Sequence, residues 1–365
     1  MPIQSLHRVR SSVGSFFIRR EAGDGGAGGP GDEQPLRAEL FSVSQLEEHA
    51  KALAGWHEVG GAAAAREPDR LLPRLRANER VLRDAYGVVA DAVTLGHRIT
   101  PAAEWFIDNY HLIEEQVRTA RRHLPRGYSR ELPRLASGPS AGLPRVYGLA
   151  LELISHADGR VDGDGLRAFV AAYQSVRPLR LGELWAIPIM LRLALLENLR
   201  RVAFHVMTSR RERDRAGHWV EQMVEVSARA PATVVLVLAD MVRENPPLTT
   251  AFVAEFASRL QGQGPALVFA VTWLEQRLAE QGQTIEQVFQ QASQNQAAYQ
   301  VSIGNSIGSL RFLGAAEWRD FVEATSGVEH VLRTDPSGVY PGMDFATRDF
   351  YRHAVERLAK RGRLS

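Results

Sequence analysis

The sequence predicts an all-α protein. Three observations carry that expectation: apolar residues recur at steps of three and four along most of the chain, helix start signals recur at short intervals, and no segment alternates strongly enough to pair as a strand. The expected architecture is an array of about a dozen or more helices packed as antiparallel neighbours. A flexible amino-terminal tail is expected over 1–35, where GDGGAGGPGDEQP offers no apolar face to bury. The all-α domain is expected over 36–361, either as one continuous helical array or divided near 125–144, its best internal boundary.

The first helix is announced by FSVSQLEE, in which Ser42 caps, Gln45 reaches back and Phe41 staples onto Leu46. Asp69 caps the next, and Pro73 falls in its first turn, where a missing N–H is harmless. Along it Leu71, Leu75, Asn78, Leu82, Ala85, Val89 and Ala92 form a heptad-like seam with one polar member, which could fix a partner helix's register but is expected at the edge of the stripe. Thr100 and Pro101 start a third helix, and Leu124 to Gly127 end it. The stretch 125–144, with four prolines and three glycines, reads as the longest loop. Further helices are expected over 144–156, 165–176, 181–207, 213–226 and 232–243, with Pro188 kinking or splitting the third of these. The VVLVL run at 234–238 has strand composition but no partner strand, so a buried helix is preferred. The series ends with 249–260, 265–281, 284–301, 315–333 and 344–360, without a fixed-period repeat.

Composition narrows the function classes. In 365 residues, 44 basic and 42 acidic side chains leave a net charge of +2, which provides no broad cationic field for nucleic acid. With no cysteine there is no disulfide, thiol nucleophile or thiolate metal site. LWAIPIMLRLALLENL and ATVVLVLADMV are the most apolar runs, but Arg192 interrupts one and Asp240 ends the other, short of the roughly 20 residues that a bilayer requires.

TPAAEWFIDNYHLIEEQV, 100–117, mixes reactive residue types on a helix. Phe106, Tyr110, Ile113 and Val117 fall on one stripe and Glu104, Asp108, His111 and Glu115 on another. The stretch reads as a polar helix interface in which Asp108, Asn109 and Glu115 supply partners for Trp105 and Tyr110. Asp108 and His111 have dimetal-bundle spacing, but the pairs Glu152/His156 and Asp349/His353 are four apart rather than three, so no metal is expected. HADGRVDGDG, 156–165, fails as a calcium loop because Arg160 and Phe169 fall where oxygen ligands are required, and is read as a turn with Asp164 capping the next helix. QQASQNQAAYQVSIGNSIGSLRFLG, 290–314, is rich in amides, Asn305 among them, that could link helices or bind sugar hydroxyls. Gly304 and Gly308, four apart, are expected to let another backbone approach closely. No nucleotide loop, metalloprotease helix, nucleophile elbow or catalytic triad is found, so no catalytic or cofactor-binding residue is assigned.

LRAELFSVSQLEEHAKALA, LLPRLRANERVLRDAY, ITPAAEWFIDNYHLIEEQV, LPRGYSRELPRL, LPRVYGLALELISHADGRVD and LRLGELWAIPIMLRLALLENLRRVA together resemble the amino-terminal region of the cyclic β-1,2-glucan synthases. SIGNSIGSLRFLGAAEWRDFVE and GVEHVLRTDPSGVYPGMDFATRDFYRHAVERLAKR are similar to the end of that region, so the resemblance runs from about Leu36 to the carboxyl end. That family comprises very large bacterial inner-membrane enzymes that build cyclic glucans from UDP-glucose, with catalytic domains further along the polypeptide. The resemblance implies a piece of such an enzyme, at the cytoplasmic face of the inner membrane, with no turnover of its own. Its implied partners are the remaining synthase domains and β-1,2-glucan, with no cofactor and with membrane proximity only through the parent protein. Two other readings stand beside it: a stand-alone helical carbohydrate-active enzyme built as an α/α toroid, with Glu104, Asp108 or Glu115 facing a cleft, and a general protein-interaction scaffold.

Overall fold

A computed structural model describes residues 38–60, 68–125 and 127–362. The expected tail over 1–35 lies outside the described residues. Among the described residues the secondary structure is fifteen α-helices, three short 3-10 turns and two isolated β-bridges, Val59 with Leu135 and Arg134 with Pro144. The protein is all-α. No helix of the described residues is long and apolar enough to cross a membrane.

The chain divides into two units that alternate along the sequence. The first comprises the chain up to Glu79, His111–Arg201 and Asn305 onward; the second comprises Arg80–Tyr110 and Val202–Gly304. The stretch 125–144 lies inside the first unit, where it carries the short helix Tyr128–Glu131 and takes part in both bridges.

In the first unit, α1 (Val43–Trp56) begins with the expected capping box: the Ser42 hydroxyl accepts from the Gln45 amide, and the Ser42 amide donates to Gln45 Oε1 at 2.8 Å. Phe41, expected to staple onto Leu46, stacks on the His156 ring with centroids 4.0 Å apart. Helix α2 (Leu71–Thr94) starts where Asp69 Oδ1 accepts from the Leu71 amide at 3.0 Å. All seven members of its seam are buried, Asn78 included, which corrects the placement of Asn78 at the stripe's edge. Next in order are α3 (Pro101–Asp108), which belongs to the second unit, and α4 (Tyr110–His123), α5 (Tyr128–Glu131), α6 (Arg145–His156) and α7 (Gly163–Gln174). Helix α1 packs along α7 and touches α6. The cap of α7 is Asp162, not Asp164: its Oδ1 accepts from the Gly165 amide at 2.8 Å.

Helix α8 (Leu181–Arg229) runs for 49 residues through Pro188, where a kink or split was expected. From Leu181 to Arg201 almost every residue is buried, so burial on all sides outweighs the one hydrogen bond that proline removes. Its polar members have partners. Arg145 on α6 forms two bonds to Glu183, at 2.9 and 2.5 Å, and Arg192 Nε donates to Gln116 Oε1 at 2.7 Å. Glu197 receives Arg74 Nε at 2.5 Å and a second Arg74 nitrogen, Asn78 Nδ2 at 3.2 Å and Arg201 Nη2 at 3.0 Å.

Within the second unit, α9 (Val234–Glu244), α10 (Thr250–Leu260) and α11 (Val268–Glu280) bury Met241, Phe252, Phe256 and Leu274 against Trp219 and Met223 of α8. The VVLVL run is the start of α9, with Val234 and Leu238 inward and Val235 and Leu236 exposed, a helical rather than an alternating pattern. Helix α12 (Ile285–Ala315) is continuous across the expected end at 301. The carboxyl-terminal helices α13 (Trp318–Thr325), α14 (Gly327–Leu332) and α15 (Phe345–Gly362) belong to the first unit, where Arg352 bonds Glu329 at 2.6 Å and Glu323 at 3.1 Å.

Burial pushes the Glu197 carboxyl up, but the Arg74 hydrogen bonds and the charges of Arg74, Arg201 and Arg200 outweigh it and hold the group well below its ordinary value of 4.5. The unfolded chain therefore takes up a proton that folded Glu197 refuses as pH falls below about 4.5. This contribution to stability is complete above that range and is lost progressively as pH drops toward the lowered folded value. Replacing Glu197 by Ala, which leaves the buried guanidinium groups uncompensated, is expected to cost about 3–5 kcal/mol. Denaturant unfolding at neutral pH checks the cost, and the variant should also show a shallower loss of stability on acidification than the parent.

Candidate functional site

The polar stretch 100–117 is not one helix. The chain leaves helical geometry at Asn109 (φ −105°, ψ 11°), between α3 and α4. The stripe of Phe106, Tyr110, Ile113 and Val117 is buried as expected. Tyr110 stacks on Tyr86 with centroids 4.1 Å apart and meets Phe106 edge-on at 5.7 Å. The polar set behaves differently. Glu104, Asp108, His111 and Glu115 are exposed, Trp105 keeps 43% of its surface, and Asn109 Nδ2 donates back to the Trp105 carbonyl at 2.9 Å, closing the end of α3. Asp108 and Glu115 thus face solvent rather than neighbouring helices, and Asn109 serves its own helix end.

Asn305 and its neighbours on α12 hold the loop 156–165. Asn305 Nδ2 donates to the Asp158 carbonyl at 3.1 Å, Ser309 Oγ donates to the Gly159 carbonyl at 2.8 Å, and the Val161 amide donates to Ser309 Oγ at 2.8 Å. These bonds fix a loop in which Asp158 and Gly159 adopt positive φ, 47° and 78°. The close approach expected at Gly304 and Gly308 does not occur, since nothing lies within 4 Å of where their Cβ atoms would be. The buried side of α12 is carried by Ser302, Ile303, Ser306, Ile307 and Ser309 instead, with Asn198 Nδ2 donating to Ser306 Oγ at 3.1 Å.

The amide-rich run does reach a cavity, within the second unit. It has a volume of about 280 Å³, at the small end for ligand pockets and suited to a group the size of one sugar ring. Asn295, Gln296 and Tyr299 of α12 form one wall, and His205, Ser209, Glu212 and Arg213 of α8 form another. The starts of α3 and α10 close it through Thr100, Thr249 and Thr250. Tyr299 and His205 stack nearly parallel, centroids 5.6 Å apart and planes 14° from coplanar, giving the wall a flat aromatic element. Thr100 and Thr249 cap their helices by accepting amides at 3.3 and 3.2 Å, which leaves each hydroxyl hydrogen free to donate. Burial pushes the Tyr299 phenol up, keeping it a neutral donor and acceptor, and burial also lowers the Arg213 guanidinium against the opposing pull of Glu255. Sequence reasoning marked the amides but missed His205, Thr249 and Arg213, which lie far away along the chain.

A second cluster lies in the first unit. Glu152 and His156, one turn apart on α6, meet His49 from α1, and all three are buried. Glu152 Oε2 is 3.1 Å from His49 Nε2 and 3.7 Å from His156 Nε2. His156 Nδ1 lies 2.8 Å from the Glu39 carbonyl, and the two imidazole centroids are 4.5 Å apart. Burial pushes the His156 imidazole down, reinforced by His49 and opposed by the Glu39 carbonyl and Glu152. Nearby, burial lowers His57 to about 4, and its ring nitrogen Nδ1 pairs with the Tyr173 hydroxyl at 3.1 Å.

No protein-family model matches the chain. It is 31% identical over 327 residues to the cyclic beta-(1,2)-glucan synthase NdvB of Rhizobium meliloti (strain 1021), an alignment covering 89% of this chain and 11% of that protein. The likeness to the cyclic β-1,2-glucan synthases read from sequence motifs therefore extends over most of the chain. The chain spans about a tenth of the length of this curated relative.

Because Asp108 is exposed, Asp108→Ala is expected to change stability by no more than about 0.5 kcal/mol, whereas Tyr110→Ala, which empties a stacked aromatic site, should cost about 3 kcal/mol. Parallel thermal melts of the two variants compare them directly.

Proposed function

We propose that this chain is a helical accessory domain of a cyclic β-1,2-glucan synthase, without turnover of its own, which holds a short segment of glucan in the cavity of its second unit. The kinship to NdvB supports the glucan-synthesis context. The observation that carries the binding role is the composition of the cavity wall: two amides, two capping hydroxyls, one cation, one carboxylate and a stacked aromatic pair. Sugar rings present hydroxyls around an apolar face, and such a wall offers donors and acceptors for the first and a flat surface for the second.

The same wall argues against hydrolysis. Glycoside cleavage uses two carboxylates about 5–9.5 Å apart across the bond. Among the described residues, Glu212 is the one carboxylate in the lining of this cavity. Glu104, Asp108 and Glu115, which a toroidal hydrolase would need in a cleft, are exposed and do not line it. Elsewhere in the first unit, Glu183, Glu197, Glu323 and Glu329 are all engaged by arginines. By the same kinship the parent enzyme's remaining domains are the partners of this one, and its location is the cytoplasmic face of the inner membrane.

Isothermal titration of the purified chain with linear β-1,2-glucan tests the binding role. Heat of binding is expected for the parent chain, and Tyr299→Ala should weaken it about tenfold, equivalent to about 1.4 kcal/mol. Absence of heat with the parent chain, or an affinity untouched by Tyr299→Ala, overturns the glucan site. Release of UDP from UDP-glucose by the purified chain overturns its non-catalytic character.

A further inference from the structure

We propose that His49, Glu152 and His156 form a binding site for a divalent transition metal, best suited to zinc, which fastens α1 to α6. The ligand types are those of known zinc sites, two imidazoles and one carboxylate, with Glu152 and His156 on one face of α6 and His49 on the buried face of α1. Zinc holds nitrogen and oxygen at about 2.0–2.1 Å, so in a tetrahedral site the ligand atoms lie about 3.3–3.4 Å from one another. The Glu152 oxygen lies 3.1 Å from His49 Nε2 and 3.7 Å from His156 Nε2, distances that straddle this value. All three ligand atoms lie within 4.8 Å of one another.

The hydrogen bonding around His156 points the same way. A carbonyl oxygen only accepts, so the 2.8 Å contact to Glu39 requires Nδ1 to carry the hydrogen. In the neutral ring Nε2 then carries a lone pair, 3.7 Å from a carboxylate oxygen that is also an acceptor. Two acceptors this close in a buried site call for a shared proton or a metal ion between them, and a carbonyl on the far nitrogen is the usual outer support of a metal-bound histidine. The contrast with the rest of the unit is informative. Buried Glu183, Glu197 and Glu329 are neutralised by arginines, whereas the polar partners of Glu152 are imidazoles, the side chain that most often binds metal. The second Glu152 oxygen or a water completes four-fold coordination. With all three residues buried, the role is structural, holding α1 against α6.

The sequence did not suggest this site because its separate parts are ordinary: a Glu–His pair one turn apart, and a lone histidine 103 positions earlier.

The test uses the whole chain, stripped with a chelator and then titrated with Zn²⁺ or Co²⁺. One equivalent of zinc should bind, the melting temperature should rise, and Co²⁺ should give the intense visible bands of a tetrahedral site. Glu152→Gln, which keeps the side-chain volume, and His49→Gln should each weaken Zn²⁺ binding by about 100-fold or more, beyond the effect typical of outer-shell changes. Both variants should retain the helical circular dichroism of the parent. The proposal is overturned if the stripped chain binds no zinc and its melting temperature ignores the metal, as a triad sharing only a proton would, or if both variants bind zinc as tightly as the parent.

Discussion

The first unit is organised around the burial of a carboxylate. Glu197 sits in the first half of α8, on a stretch with almost no contact with water, and a charge there is sustained only by compensating charges and hydrogen bonds. Arg74 supplies a two-pronged bond, Arg201 a second cation, and Asn78 and Tyr147 reach the same oxygen at 3.2 and 3.5 Å. Those demands fix more than one side chain. Arg74 and Asn78 lie one turn apart on α2, so meeting both bonds sets the rotation and axial position of that helix, while Tyr147 applies a similar constraint to α6. Hydrophobic contacts tolerate sliding; a fork of directed bonds to one carboxylate does not. Asn78 in the α2 seam is therefore a register device, and the apolar seam around it supplies the bulk of the burial.

Features governed by neighbours in the chain were legible in the sequence. The Ser42–Gln45 capping box, the helix start at Thr100 and the apolar members of the α2 seam follow from spacing alone, because each involves residues within a turn or two. What depended on a distant partner was not legible. The fate of Asn78 turned on Glu197, 119 positions away. Pro188 did not break α8 because residues from elsewhere enclose that helix on every side, and nothing local announces such enclosure. Asp108 and Gly304 illustrate the converse. A polar residue beside aromatics and a glycine four positions from another suggest an interface by pattern, yet both face open space.

The candidate site divides along the same line. The amides of 290–300 stood out by composition, and Asn295, Gln296 and Tyr299 do form one wall of the cavity. The opposing wall could not be inferred, since His205 and Arg213 fall in two separate expected helices, 181–207 and 213–226, and Thr249 at the start of another. Asn305, from the same amide-rich run, is three turns further along α12 than Asn295 and serves as a clamp on the loop carrying Asp158. One helix thus carries two roles because its rotation presents successive polar residues to different surroundings.

The charge pattern of the cavity discriminates between the substances that a glucan synthase handles. A nucleotide sugar carries a diphosphate, and sites for such groups combine several cations with exposed backbone N–H groups or a metal. Here the starts of α3 and α10 contribute partial positive charge, but their capping threonines already engage the Ala103 and Phe252 amides. Arg213 is matched by the adjacent Glu212 on the same wall, so the lining is close to neutral. A neutral wall rich in hydroxyls and amides gains little from an anion and can satisfy an uncharged polyol in many orientations. That property fits an uncharged, hydroxyl-rich ligand better than a diphosphate-bearing one.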